Sequence, residues 1–378
     1  MWFTELGANR IGVITPDGRV SEFPVNRPAR KIVAGPDGNL WFTSDGFLSR
    51  MTPAGVVTDF PLTGSAWGIT VGADRNVWFT ELAKVPGPNY FGRATAEGQI
   101  AKLPIQANAS DITSGPDGNF WVPDWTELAY DAIVSITPSG VETRWPLSGR
   151  SDVPGDAGPT AVAVASDGSI WFTETTVSKL GRIAQSAVTE FAVPGYPLSI
   201  ATGSDGNVWF AEAIGNSIGR ITPFGVITEF PIPTPGAQPS GISAGADGNI
   251  WFTERGAGRI GRISGVTCDT TTLCLAGNRF HVSLNWTSPS SSGRGLSVPL
   301  TPASGYFWLF DPADVEVVVK IVDGCSFNAR KWVFAAGLTN VNVVLTVTDT
   351  QTGLSKTYVN PQGTAFLPIQ DTDAFSCP

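Results

Sequence analysis

Five glutamates recur at one position of a repeated aromatic motif, and together they could form a ring of carboxylates. Each follows Trp-Phe-Thr or Trp-Phe-Ala, and the five are Glu5, Glu81, Glu174, Glu212 and Glu254. A hard cation such as Mg²⁺ or Ca²⁺ requires oxygen ligands. We therefore name Glu5, Glu81 and Glu174 as candidate metal ligands, and Glu212 and Glu254 as candidate catalytic residues. The pattern itself demands no cofactor.

A structural role is the alternative for these glutamates. An arginine stands eight residues after three of them, at Arg182, Arg220 and Arg262. That spacing favours an ion pair between neighbouring strands of a hairpin, which would neutralise each carboxylate. Val13 takes the arginine's place in the first copy, so Glu5 is expected to be the free acid of the set.

The motif that carries these glutamates is the repeating unit of the chain. Its seven copies begin at Trp2, Trp41, Trp78, Trp121, Trp171, Trp209 and Trp251. Asp-Gly-Asn before the motif and Thr-Pro-x-Gly after it are turn signals, because glycine and asparagine tolerate positive φ and proline presets the φ of a turn. Each unit is therefore predicted to be a four-stranded antiparallel meander. Seven such units predict a seven-bladed β-propeller, with a solenoid of stacked units as the alternative.

The first and last units are incomplete. The chain begins on the first motif strand, and the last unit stops after Ile260–Ile263 without its fourth strand. A propeller closes by sharing one blade between its termini, so we expect upstream sequence to supply the missing strands. The hypothesis is that this chain is an N-terminally truncated form of a longer secreted protein.

Irregular units carry the candidate ligand-binding residues. Residues 84–91, the stretch after Asp124 and residues 149–159 are longer than the repeat requires. Long loops on a rigid scaffold are where binding residues usually lie, although tolerated loop growth is the alternative. Three tryptophans outside the repeat register and one tyrosine of an insertion are candidates for stacking on a sugar or peptide: Trp67, Trp125, Trp145 and Tyr90.

The overall charge limits the partners. A net charge of −9 and a pI near 4.7 argue against a nucleic acid or an anionic membrane, which would need a basic face. No run of apolar residues is long enough to span a bilayer, and this chain opens without the pattern of a signal peptide.

Residues 266–378 depart from the repeat and hold all four cysteines. Short strand patterns with no helical periodicity predict a small β-sandwich, with 315–321 as a central strand. Two disulfides are expected, in an oxidising compartment. Four cysteines allow three pairings, and of these we favour Cys268 with Cys274 and Cys325 with Cys377. Zinc is the competing interpretation of the cysteines, but the chain has one histidine, His281, which we expect to be an ordinary strand residue.

The repeat resembles a known family. The run GPDGNLWFT at 35–43, with IGRI and ITEFP in other units, resembles the streptogramin lyase (virginiamycin B lyase) family over residues 1–265. The resemblance implies a seven-bladed propeller and enzymes that open cyclic depsipeptide antibiotics by elimination, using Mg²⁺ with histidine and glutamate in the central depression. Residues 1–265 contain no histidine, so the family's general base has no counterpart. A carboxylate could replace it only if burial raised its pKa.

The sequence therefore predicts a non-catalytic binding propeller (residues 1–265) followed by a disulfide-bonded sandwich (266–378). We expect a bacterial monomer outside the cytoplasm, extracellular, at the cell surface or periplasmic, that holds a small molecule, glycan or protein on its loop-rich face. The alternative is a metal-dependent lyase or lactone hydrolase that uses the central carboxylates, with a Mg²⁺-dependent carbon–oxygen lyase activity.

Overall fold

The chain is almost entirely β-structure. The computed structural model describes residues 1–84, 86–125, 131–148, 157–165, 167–222, 225–263, 271–276, 279–350, 352 and 354–377. It divides into two compact units: Met1–Thr202 with Val208–Ile221 and Glu229–Arg262, and Ile263–Pro378 with Gly203–Asn207 and Thr222–Thr228. The one helix of the described residues is the single turn α1 (Cys325–Asn328), so this part of the chain holds no helix able to cross a membrane.

The first unit consists of antiparallel sheets that follow the repeat. The first repeat is β1 (Trp2–Glu5), β2 (Arg10–Ile14) and β3 (Val20–Pro24). The next two share one sheet: β4 (Ile32–Ala34), β5 (Leu40–Met51), β6 (Val57–Val71), β7 (Val77–Leu82), β8 (Asn89–Ala94) and β9 (Ile100–Ile105). The fourth repeat is β10 (Thr113–Ser114), β11 (Phe120–Asp124), β12 (Ala132–Ile136) and β13 (Glu142–Pro146).

The later repeats keep the same order. The fifth is β14 (Pro159–Val164), β15 (Ile170–Glu174), β16 (Lys179–Ala184) and β17 (Ala187–Ala192). The sixth is β18 (Pro197–Thr202), β19 (Val208–Glu212), β20 (Ser217–Ile221) and β21 (Ile227–Pro231). The last has β22 (Pro239–Ala244), β23 (Ile250–Glu254) and β24 (Arg259–Ile263).

The Asp-Gly-Asn turn does more than reverse the chain. Gly38 adopts φ +77°, which a side chain would strain. Asp37 accepts hydrogen bonds from the Asn39 backbone N–H (3.2 Å) and from Trp41 Nε1 (3.2 Å). The turn thus fixes the tryptophan ring of the following strand.

The repeat tryptophans pack between repeats. Trp41 is completely buried and belongs to the same core cluster as Phe79 of the next repeat. The Trp78 ring lies 4.6 Å from that of Phe120, again one repeat further on. Aromatic rings of this size supply most of the apolar area buried in such a core. The repeat tryptophans thus pack one repeat against the next.

The two ends of the repeat array are in contact. Arg262 Nη1 donates a hydrogen bond to the Pro16 carbonyl at 2.7 Å, although 246 residues separate them. A propeller brings its first and last repeats together, whereas a solenoid keeps them apart. The first unit is a β-propeller, and seven blades remain the count that the motif copies predict.

The second unit is a sandwich of two sheets. One sheet contains β25 (Thr272–Leu275), β26 (Phe280–Thr287), β32 (Asn342–Asp349) and β33 (Ser355–Asn360), with β27 (Ser292–Arg294) paired to β26. The other has the order β28 (Leu296–Thr301), β29 (Ser304–Trp308), β30 (Val317–Gly324), β31 (Arg330–Gly337) and β34 (Ile369–Ser376). Alternate residues of both sheets fill one shared core.

Most sandwich expectations hold. The predicted central strand is β30, the third of five. Ser292–Arg294 pair with the end of β26. The predicted Cys325–Cys377 disulfide is present. Cys274 is also disulfide-bonded, Cys268 lies outside the described residues, and His281 lies on β26. The expected boundary at residue 265 falls among undescribed residues 264–270 and stays a prediction.

Candidate functional site

Four of the five glutamates of the repeated motif are buried, and Glu5 is partly exposed. They end the second strand of their repeats, and three of the five, Glu81, Glu174 and Glu212, have no exposed surface, while Glu254 is 6% exposed. Asp124, which takes the same position in the fourth repeat, is also fully buried. These carboxylates are therefore withdrawn from any ligand in solvent.

The expected pairing of these glutamates with arginines is wrong. In the fifth repeat Arg182 lies opposite Trp171, and Glu174 lies opposite Lys179. In a tight antiparallel hairpin, a residue nearer the turn pairs with a partner that is closer to it in sequence. The glutamate at the end of the strand therefore faces a residue five positions later, while the arginine eight positions later lies over the tryptophan ring, 5.7 Å from its centroid.

In the third, fourth and sixth repeats the carboxylate accepts a hydrogen bond from a backbone N–H of the segment that leads into the first strand. Glu81 accepts a hydrogen bond from the Gly64 N–H (2.5 Å), and Lys102 completes it with an ion pair at 3.0 Å. Asp124 accepts from the Asn108 N–H at 2.7 Å. Because a buried carboxylate needs donors or a cation, this set of contacts explains its presence structurally.

In the fourth and sixth repeats the carboxylate has other partners than the lysine that pairs with it in the third. Asp124 forms an ion pair with Arg144. Glu212 accepts hydrogen bonds from the Gly195 N–H (2.9 Å) and the Ser217 hydroxyl (2.7 Å). Glu229 of the neighbouring strand stands where Lys102 stands in the third repeat, so the sixth repeat places a second acid where the third has a cation. Burial and the adjacent Glu212 carboxylate raise the pKa of Glu229 to about 7.

The fifth repeat leaves its glutamate without a partner. Lys179 pairs with Glu190 at 2.5 Å, and neither oxygen of Glu174 has a hydrogen-bond partner among the described residues. Burial first, and then the charge of Glu190, raises the pKa of Glu174 to about 8. In the first repeat burial and the Glu22 charge raise the pKa of Glu5, which lies opposite Arg10.

The candidate metal ligands do not form a metal-binding group among the described residues. The group of three acidic or sulfur ligands that lie within metal-binding distance of one another in the described chain is Asp323, Cys325 and Cys377, and the two cysteines form a disulfide. The motif carboxylates Glu5, Glu81 and Glu174 therefore do not converge on one ion.

A second set of side chains lies around the propeller axis. The first strands of successive repeats pack against one another, β14 against β18 and β18 against β22, so these strands line the axis. Each first strand has an Ile or Val at one equivalent position, and the residue two positions before it is partly exposed. This set, the channel ring, comprises Arg30, Trp67, Ser110, Thr160, Leu198 and Ser240.

Neighbours in the channel ring contact one another. The Arg30 guanidinium lies over the Trp67 ring, 4.5 Å from its centroid. Ser110 donates to the Thr160 carbonyl at 3.4 Å, and Thr160 Oγ1 donates to the Leu198 carbonyl at 3.1 Å. The ring thus offers one cation, one large aromatic ring, hydroxyls and an aliphatic side chain.

An ion pair lies one residue further along the same strands. Lys31 of the second repeat pairs with Asp111 of the fourth, and Asp111 also accepts a hydrogen bond from the Val162 N–H of the fifth at 3.2 Å. Gly68 of the third repeat makes this possible, because a Cβ there would stand 2.7 Å from the Asp111 backbone.

The other aromatic candidates lie away from this ring. Trp125 is 42% exposed and directly follows β11. Tyr90 begins the paired part of β8, 4.5 Å from Lys102 Nζ, and Trp145 packs on Trp121 with ring centroids 4.6 Å apart. The insertions follow the second and fourth strands of their repeats, which run in the same direction, so they leave the propeller on one face. Residues 85, 126–130 and 149–156 of these insertions lie outside the described residues.

Comparison with known proteins identifies relatives of the propeller. The family model "Virginiamycin B lyase family" matches residues 1–156 and 112–273. A streptogramin B lyase structure is 30% identical, covers 69% of this chain and 88% of its own, and superposes with a TM-score of 0.61. A catalytically inactive histidine-to-alanine variant of virginiamycin B lyase from Staphylococcus aureus, crystallised with quinupristin, is 31% identical, covers 69% and 89%, and gives 0.61. The search of curated proteins gave no match. The chain belongs to the virginiamycin B lyase family.

Proposed function

We propose that this protein is a non-catalytic binding propeller that holds its ligand at the channel ring. The observation that carries the proposal is the chemistry of that ring, which offers a guanidinium, an indole and hydroxyls but no carboxylate or imidazole. Such a surface can stack on a ligand and donate hydrogen bonds to it, as binding sites do. It has no group that takes up a proton near neutral pH.

The position of the acids supports a binding role. Glu174 and Glu229 have pKa values of about 8 and about 7, which is the range of a general base. A general base must lie within hydrogen-bond reach of the proton that it removes. Glu174 has no exposed surface, and the carboxylate oxygens of Glu229 are buried. The raised pKa values therefore report burial inside a blade.

The histidine content also supports it. One relative in the family is inactive when a histidine is replaced by alanine. In this chain the single histidine is His281, outside the propeller repeats. The rival proposal, a metal-dependent lyase or lactone hydrolase, is favoured by the family membership and by the two raised carboxylate pKa values, and it would require those side chains to become exposed.

We infer that this protein works outside the cytoplasm. The disulfide-bonded second unit supports an extracellular or periplasmic location, because such bonds persist in oxidising compartments. We infer that the working state is a monomer.

The test is a ligand-observed NMR screen of small aromatic, sugar and dipeptide compounds against the full chain and its Trp67→Leu variant. Compounds that bind at the channel ring lose their signal change in the variant. Phe327→Ala is the matched control, because Phe327 is an exposed aromatic residue of the second unit. Binding that survives Trp67→Leu but is lost in Phe327→Ala would place the binding surface on the sandwich and contradict the proposal.

A further inference from the structure

Arg30 differs from the arginines that lie over the motif tryptophans. In those pairs the arginine and the tryptophan belong to one repeat, with 5.2–5.7 Å between the guanidinium carbon and the ring centroid: Arg50, Arg93, Arg182, Arg220 and Arg262. Arg30 instead joins the first strands of two successive repeats, and Trp67 is not a motif tryptophan. The repeat architecture therefore gives no structural reason for this pair.

Most N–H donors of the Arg30 guanidinium have no acceptor among the described residues. It carries five N–H donors in a planar fork. Among the described residues it makes one long hydrogen bond, from Nη1 to the Ala66 carbonyl at 3.4 Å, and no carboxylate lies within ion-pair distance. A half-buried arginine with neither an acid nor good acceptors retains most of its capacity to bind an anion.

The charges around Arg30 leave a local positive excess. Lys31 is paired with Asp111, and Lys84 is paired with Asp45 at 3.0 Å. A hydrogen bond from Ser65, the contact with Lys84 and, more weakly, the charge of Arg30 lower the pKa of Asp45, so this acid stays ionised. Among these described groups, Arg30, Lys31 and Lys84 are the cations and Asp45 and Asp111 the anions, in a chain whose net charge is −9.

We infer that the channel ring binds an aromatic carboxylate, with Arg30 as the partner of the carboxylate and Trp67 as the surface for the ring. This inference rests on the proposed function and names its ligand class. A carboxylate accepts two parallel N–H bonds from a guanidinium, a geometry that an ammonium group cannot reproduce. An indole face offers offset stacking to a flat ring held beside it.

The experiment compares two probes of one shape. Binding of 2-naphthoate and of the neutral 2-naphthalenemethanol to the full chain is measured by isothermal titration at pH 7. We expect the naphthoate to bind about tenfold more tightly, since a hydrogen bond to a charged group is worth that factor or more. Raising the salt concentration weakens naphthoate binding and leaves the alcohol unchanged.

Variants assign the effect to Arg30. Arg30→Met is expected to lower naphthoate affinity about tenfold and to leave the alcohol unaffected, and Arg30→Lys recovers only part of the loss. Arg93→Met is the matched control, because Arg93 also lies over a tryptophan but belongs to a motif pair. Thermal unfolding of each variant confirms that the propeller remains folded.

Failures of the inference and of the proposed function differ. Equal affinity for the two probes, or an unchanged naphthoate affinity in Arg30→Met with a loss in Trp67→Leu, overturns the carboxylate assignment while the ring remains a binding site. No naphthoate binding also overturns it. Binding that neither Arg30→Met nor Trp67→Leu changes lies elsewhere and contradicts both.

Discussion

Lys31 in the second repeat and Asp111 in the fourth form an ion pair that spans the first strand of the third. Asp111 is only 13% exposed and also accepts the Val162 N–H of the fifth repeat. One carboxylate thus links the second, fourth and fifth repeats beside the channel ring. It fixes the relative positions of Arg30 and the hydroxyl residues that the proposed ligand would contact.

Removing this carboxylate should destabilise the propeller. Asp111→Ala loses the ion pair and the hydrogen bond, and we expect a decrease in the free energy of unfolding of about 1–3 kcal/mol, since a buried N–H loses its acceptor. Asp111→Asn keeps an acceptor for Val162 and should lose less. Urea unfolding measures both, with Lys31→Met as a control for the ion pair alone. If Asp111→Ala unfolds at the wild-type midpoint, the cross-repeat contact has no structural role.

The acid pair of the sixth repeat should make stability depend on pH. The folded pKa of Glu229 is about 7, above its unfolded value of 4.5, so the folded state retains a proton that the unfolded state has released. Its contribution is fully present below about pH 4.5 and is lost as pH rises through about 7. Glu229→Gln should flatten the pH profile of the unfolding midpoint across this window. A profile identical to wild type would contradict the assignment.

The ion pair of the third repeat suggests a stabilising substitution at Glu229. Glu229→Lys reproduces the Glu81–Lys102 pair, which the third repeat uses at the equivalent site. At pH 8 we expect this variant to be more stable than wild type by about 1–2 kcal/mol, because a cation replaces an uncompensated buried acid. Thermal unfolding at pH 8 tests it, and Lys102→Glu should show the opposite change. Destabilisation by Glu229→Lys would show that the two sites are not equivalent.

Glu174 should act in the same direction over a wider range. Its folded pKa is about 8, so its contribution falls from pH 4.5 upward and is lost as pH passes 8. Glu174→Gln keeps the size of the side chain and removes the charge. We expect little change in stability at pH 5 and a clear gain at pH 9, measured by chemical denaturation. A loss at pH 9 would mean that the ionised carboxylate has a partner.

The disulfide of the second unit should stabilise it strongly. Cys325 and Cys377 close a loop with a sequence separation of 52. Chain-entropy arguments give a contribution of about 4 kcal/mol for a loop of this size. The Cys325→Ser/Cys377→Ser double variant should lower the unfolding midpoint of the sandwich, as followed by calorimetry of the full chain. An unchanged thermogram would contradict this contribution.

The fold could be predicted from the sequence because its signals are local and repeated. Trp41 and its equivalents recur with a turn whose Asp37 both reverses the chain and binds the indole. The partner of Glu174 was predicted wrongly, since counting eight residues to Arg182 ignored the register that a tight turn imposes.

The candidate site was harder to predict. Trp67 was identified because it lies outside the motif register, but Arg30 was missed. The first strands of the repeats have one hydrophobic position in common, which is Ile32 in the second repeat. Aligning the repeats on that position would have shown that Arg30 and Trp67 are equivalent. The contact between Lys31 and Asp111 joins distant repeats and leaves no local signal.

Turnover of quinupristin tests the central claim most directly. The full chain is incubated with quinupristin and Mg²⁺ at pH 7–8, and intact and opened forms are separated by liquid chromatography. If the propeller is non-catalytic, quinupristin opens no faster with the protein than in the protein-free control. Opening that depends on Mg²⁺ and disappears in Glu174→Gln or Glu229→Gln would show that the buried carboxylates reach substrate, and it would contradict the binding function proposed for the channel ring.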